Sequence, residues 1–203
     1  MTAKRRPTSK SPTRRPASSG RPRQRDAEQT RADLLRASRR AFATRGYAQA
    51  GMREIAAEAG VTPALVVRYF GSKKELFREA LGHDMGLSGF FAAGRKDFGR
   101  HVVQYLMNKP VPEADALAMM LLSAGDEEVR DLVTTLLEER LTRPLAQWLG
   151  PPRAESRAAL MLALFCGVWV FRSTLPIKPF TGTLDAATDA KLAAMLQDLV
   201  DGG

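Results

Sequence analysis

Between positions 26 and 81 small and apolar residues return every third or fourth place, and glycines at 46, 60 and 71 break the rhythm. Leu34, Leu35, Ser38, Ala41 and Phe42 mark one face of a helix over 26–45. Gly46 predicts a left-handed cap at its end, with Tyr47 packed behind it. Ile55, Ala56 and Ala59 line the inner face of a short second helix, Gly60 supplies a sharp turn, and Val61 plugs the corner. Ala56 is small where two steeply crossing helices approach each other. Thr62-Pro63 opens a third helix with an N-cap hydroxyl, then a proline where its missing N–H is harmless. Val66 and Phe70 face inward from it. Ser72-Lys73-Lys74-Glu75 has the capping-box pattern of a fourth helix, with Leu76, Phe77, Ala80 and Leu81 as its apolar face. Residues 52–70 therefore read as a helix-turn-helix, and a helix presented in this way fits the DNA major groove.

Past Gly82 the pattern stays helical, with helices predicted near 84–107, 112–123, 126–149, 154–175 and 185–200. Pro110, Pro112, Pro151, Pro152, Pro176 and Pro179 fall in the gaps. Pro144 lies inside the third of these helices and should kink it near Leu141. No segment alternates at period two, so the fold class is all-α. The longest apolar run, 158–171, has 14 residues. A bilayer crossing needs roughly 18–20, so the run predicts a buried helix.

Charge changes the picture in one place. Residues 1–25 carry nine basic side chains (Lys4, Arg5, Arg6, Lys10, Arg14, Arg15, Arg21, Arg23, Arg25) and no acidic one. The whole chain has 31 basic and 22 acidic residues, so the remaining 22 basic residues balance the acids of 26–203. The high pI thus belongs to a leading arm whose Pro, Ser, Thr, Lys and Arg composition predicts disorder. That arm is either a solvated tail or a DNA contact. The single cysteine, Cys166, excludes an intrachain disulfide and fits a cytoplasmic, reducing setting. It sits in an apolar run, and His83 and His101 lie 18 residues apart. These give no metal site, no cofactor and no nucleophile–base set, so no enzyme is expected.

The order helix, Gly46-Tyr47, Arg53-Glu54-Ile55-Ala56, Ala59-Gly60-Val61, a short helix ending Tyr69-Phe70, then Ser72-Lys73-Lys74-Glu75-Leu76-Phe77 resembles the N-terminal domain of TetR-family transcriptional regulators. The resemblance covers roughly 27–83. It implies a three-helix DNA-binding domain over 26–83 after the arm of 1–25, and a helical ligand-binding and dimerisation domain over 84–203. It also implies a homodimer, a palindromic double-stranded DNA operator and repression relieved by a small-molecule effector. The rival is an architectural DNA-binding protein that answers to no ligand.

Carried over by position, the DNA-facing residues are Thr62, Pro63, Ala64, Leu65, Val67, Arg68 and Tyr69 on the third helix, with Arg53 and Lys73 at neighbouring helix starts. Arg68 and Arg53 can form forked hydrogen bonds to guanine or phosphate, and Thr62 and Tyr69 offer hydroxyls to phosphate. Leu65 and Val67 could meet only thymine methyls or sugar carbons. Tyr69 has the alternative of a purely structural role, facing the third helix. Two departures remove phosphate hydroxyls: Ala50-Gly51 stands where the family often has Thr or Ser, and Val67 where tyrosine is common. The helices of 154–175 and 185–200 occupy the family's dimerisation positions. The apolar run in the first must be covered all round, and Ala158, Ala159, Ala163 and Gly167 allow close helix approach. Phe90, Phe91, Phe98, Met107, Met119, Met120, Trp148, Phe165 and Trp169 are candidate pocket liners, or ordinary core. No charged cluster among them points to an ionic ligand.

Overall fold

The computed structural model describes residues 21–83, 85–92 and 94–202. The first helix, α1 (Arg21–Gln49), starts five residues before the predicted position, so the helical body takes up part of the expected arm. Residues 1–20 of that arm lie outside the described residues. Gly46 ends the long first helix in a kink, with non-helical φ 70° and ψ 178°, and a short helical turn carries on to Gln49. The kink has a packing cause as well as a conformational one. A Cβ on Gly46 would lie 2.5 Å from the Leu122 carbonyl oxygen, so only glycine fits this contact without displacement. Helices α2 (Met52–Glu58), α3 (Pro63–Phe70) and α4 (Lys73–Gly82) follow as predicted. Ser72 Oγ accepts the Glu75 amide at 3.1 Å, completing one half of the capping box. Thr62 holds the N-cap position of α3, but its hydroxyl makes no capping bond, contrary to the sequence expectation.

The predicted helix over 84–107 is much shorter. Only α5 (Phe98–Asn108) forms, and residues 85–92 and 94–97 run through turns and irregular backbone. Gly86, Gly89 and Gly94 explain the failure, since each raises the entropic cost of a helix by about 1 kcal/mol relative to alanine. Next come α6 (Ala116–Ser123) and α7 (Glu127–Leu137). A π-helical turn over Glu138–Thr142 joins α7 to α8 (Arg143–Leu149). This is the disturbance expected near Leu141: Pro144 lacks an N–H and its ring crowds the Arg140 carbonyl, and the wider turn accommodates both. The last elements are α9 (Ala154–Trp169), continued by a π-helical turn over Val170–Thr174, and α10 (Ala186–Asp201).

Two cores form, and they do not divide at residue 83. The first joins α1–α4 to Met119 and Met120 of α6 and to Val129, Leu132, Val133 and Leu136 of α7. The second gathers α5, α8, α9 and α10 around Phe98, Leu145, Met161, Phe165 and Leu196. Leu117 and Leu141 touch both. In the second core α5 and α10 pack closely, because a Cβ on Gly99 would overlap the Ala193 carbonyl. Arginines close its helix ends. Buried Arg157 donates to the carbonyls of Pro152 (2.9 Å), Leu199 (3.0 Å) and Gly150. Arg95 donates to those of Trp148 (2.5 Å), Leu149 (3.1 Å) and Val200 (3.1 Å). Guanidinium groups thus satisfy carbonyls that helices leave unpaired, at the negative end of the helix dipole.

The apolar run of 158–171 is not buried all round. It belongs to a continuous helix, Ala154–Thr174, which is long and apolar enough to cross a membrane by length and composition. One side packs on α5, α8 and α10. The other leaves Leu160 57%, Phe171 40% and Leu175 60% exposed. Ala163, Leu164 and Gly167 complete that stripe at three- and four-residue spacing.

Candidate nucleic-acid interface

α2 and α3 are held by burying Ile55, Ala56, Val66 and Phe70. Each large apolar member of this set contributes about 2 kcal/mol. The Val61 amide bonds the Ala56 carbonyl at 2.9 Å and Gly60 takes φ 69°, which fixes the turn. With one side of α3 so occupied, the other is left outward. Thr62, Pro63, Ala64, Val67 and Arg68 are exposed, while Leu65 and Tyr69 are half-buried. Arg53 is exposed at the start of α2. Neither Arg53 nor Arg68 has a protein partner among the described residues. Tyr69 packs beside Phe70 with ring centroids 6.3 Å apart, and its hydroxyl also lacks a protein partner among the described residues.

Most other cations of this domain are engaged. Arg31 pairs with Glu79 and lies over the Phe70 ring, Arg36 pairs with Asp33, and Arg45 with Glu54. Arg40 bridges Glu58 (2.8 Å) and Glu113 (3.1 Å). Lys73 is tethered: its Nζ donates to the Ala48 carbonyl at 3.3 Å and sits 4.5 Å from the centre of the Tyr47 ring.

Tyr47 also faces the other way. Its amide donates to Ser123 Oγ at 3.0 Å and its hydroxyl to Glu128 Oε1 at 2.6 Å. Burial, reinforced by the Glu128 carboxylate, pushes the phenol well above its ordinary pKa and keeps it a donor. The Gly46-Tyr47 corner is thus clamped to the end of α6 and the start of α7. Sequence reasoning placed Tyr47 correctly but missed the clamp, because Ser123 and Glu128 are more than 70 positions away and follow no motif.

A cavity of about 560 Å³ lies at the seam of the two cores. Of the nine predicted liners, Phe90, Met120, Phe165 and Trp169 face it. The other five do not. Phe91, Phe98 and Trp148 form their own cluster, with both phenylalanines 4.9 Å from the indole. Met119 is fully buried in the first core, and Met107 packs against the second. The cavity also brings in Tyr105, Lys109, Asp115 and Leu117, which the sequence did not single out, and His83 and Cys166, which it did not place in a pocket. Two of these, Lys109 and Asp115, carry charge, which none of the nine predicted liners does. Burial, and then the Asp115 charge, raise the Cys166 pKa, so its thiol stays protonated.

An outward helix opened by proline, with an unpaired arginine on its face and a helical body behind it, defines a DNA-binding regulator with a helix-turn-helix reader. Comparison with known proteins agrees. Residues 34–80 match the family described as bacterial regulatory proteins, tetR family, and residues 96–200 match the tetracyclin repressor-like C-terminal domain. The chain belongs to the TetR family. Its fold is similar to the crystal structure of a TetR-family regulator from Streptomyces coelicolor A3, at 24% identity and TM-score 0.54, over 94% of this chain and 99% of that one. It is also similar to NalD of Pseudomonas aeruginosa, the secondary repressor of the MexAB-OprM multidrug efflux pump. That likeness is at 19% identity and TM-score 0.57, over 87% of this chain and 96% of that one. A search of curated proteins returned no match.

Proposed function

We propose that the protein is a homodimeric repressor that occupies a palindromic operator and leaves it when a small molecule fills the seam cavity. The observation that carries this reading is the path of α6. Its first turns (Ala116, Leu117, Met120) line the cavity, and its last residues (Leu122, Ser123) grip the Gly46-Tyr47 corner of the reading domain. Tyr47 in turn lies under Lys73 at the start of α4. A ligand that wedges apart the two cores would shift α6, and with it the angle of α3. In a dimer that angle sets the separation of two reading helices, which must match one DNA turn of roughly 34 Å. Coupling of this kind is usually ~1–3 kcal/mol.

The reader itself uses Arg68 and Arg53 for base or phosphate contacts, and Thr62, Ala64, Val67 and Tyr69 along the groove; Pro63 and Leu65 shape that edge. Lys73 positions the α4 start through Tyr47 and meets phosphate from there. The second subunit covers the exposed stripe of α9 together with α10, where Met195 is also 43% exposed. This assigns the long apolar helix to a protein interface, and its action to the cytoplasm, where operator DNA is. Selection of bound DNA from a random pool tests the whole reading. A recovered palindrome supports it; protection of DNA with no palindromic preference identifies an architectural binder instead.

A further inference from the structure

The wall of the seam cavity holds a carboxylate in an unusual setting. Asp115 Oδ1 accepts the Leu117 amide at 3.1 Å, capping α6, and Oδ2 accepts the Trp169 indole N–H at 2.7 Å. Both donors are neutral, and among the described residues no basic side chain lies within ion-pair distance of Asp115. A carboxylate with only two such bonds has spare acceptor capacity. Around it stand ring faces. Phe90 stacks on Phe165 at 4.7 Å and meets Tyr105 at 4.9 Å, and Trp169 closes the far side.

Cations of the protein itself gather at this place. Lys109 Nζ lies 5.2 Å from the Tyr105 ring centre and 5.9 Å from that of Trp169. The Arg172 guanidinium lies 5.3 Å from the same indole and donates to the Lys109 carbonyl at 2.7 Å. Aromatic faces carry partial negative charge, so the rings and Asp115 act in the same sense. They attract positive charge and would repel an anion placed between them. Lys109 is exposed, at the end of α5, and can withdraw into water. Asp115 is fixed by its two bonds and cannot.

We propose that the cavity is selective for organic cations with an apolar or aromatic body, and that the Lys109 ammonium holds the cation position until such a molecule displaces it. The volume is within the range of small-molecule sites. The inference rests on the cavity being the effector site, and it adds the class of effector and a self-competing side chain that sets its threshold.

Calorimetry on the full chain tests it with three probes of nearly one shape: phenyltrimethylammonium, the neutral isostere tert-butylbenzene, and the anion 4-tert-butylbenzoate. The cation should bind about tenfold or more tighter than its isostere. Asp115→Asn should weaken the cation about tenfold and leave tert-butylbenzene unchanged. Asparagine also caps helices, so an unaltered melting temperature separates lost charge from lost fold. Lys109→Met should tighten the cation roughly threefold. Equal binding of cation and isostere, tighter binding of the anion that vanishes in Lys109→Met, or no binding of any probe overturns the proposal. Release from DNA is scored separately. Cation binding without release supports the site and retires its role as effector site; release by another compound without cation binding does the reverse.

Discussion

The outward faces of α3 and α9 are both uncovered, yet only the first carries polar and charged groups among its exposed apolar ones. α3 shows Thr62, Ala64, Val67 and Arg68: one hydroxyl, one guanidinium and small apolar groups. α9 and its continuation show Leu160, Ala163 and Phe171, with Leu175 just past the end and no charge among them. A face that meets a wet, charged, sequence-variable duplex needs donors and must not be greasy enough to aggregate. A face that meets a fixed protein surface gains most from apolar area and pays for any unpaired charge. On the proposed reading the two faces suit two partners, and only the second resembles a core cut in half.

The largest expected effect comes from spoiling the second face. Leu160→Asp combined with Phe171→Asp would bury two carboxylates in the proposed interface. We expect a loss on the order of 4 kcal/mol in dimer stability, about a thousandfold in its dissociation constant. Both positions are exposed in the single chain, so the fold should survive. Sedimentation should show monomers at micromolar concentration, and affinity for a two-half-site operator should collapse to that for one half-site. A dimer that persists would move the interface elsewhere.

Legibility in the sequence followed the same division. The reading domain was visible because its constraints are local: Gly60 at a turn, Pro63 at a helix start, Ser72 three residues before Glu75. Each acts over a few positions and leaves a spacing. The cavity was only half visible because its constraints are not local. Phe90 and Phe165 meet through a turn that three glycines make possible, whereas the periodicity over 84–107 pointed to a helix. Asp115 falls inside the helix expected over 112–123, and nothing near it in sequence announces that Trp169 will bond it. Packing across the boundary expected at residue 83 is hidden from the sequence for a similar reason. Met119, Val129 and Leu136 complete the core of the reading domain from beyond residue 83.

The α3 face can be tested residue by residue. Arg68→Ala should cost about 1–3 kcal/mol of operator affinity and relax preference at one base position. A loss equal across all sequences would recast Arg68 as a phosphate contact. Removing residues 1–20 probes the charge that the folded body lacks, since most arginines of the reading domain are paired with acids. The slope of log K against log salt should become shallower by about 0.9 for each phosphate released. An unchanged slope excludes the arm as a DNA contact.

The smallest effect is the most discriminating for this face. Thr62 stands at the N-cap of α3, where threonine ordinarily contributes about 1 kcal/mol through its side-chain bond. Here that bond is absent and the hydroxyl is exposed. A threonine kept at a cap without capping has its oxygen free for something outside the protein. Thr62→Val keeps the shape and removes the oxygen. Folding stability by urea titration should change by less than about 0.5 kcal/mol, while operator affinity falls by about 1 kcal/mol through one lost hydrogen bond to phosphate. If instead stability falls by a full cap and affinity holds, the hydroxyl serves α3 itself, and the reading face is left with Arg68 and Arg53 as its polar contacts.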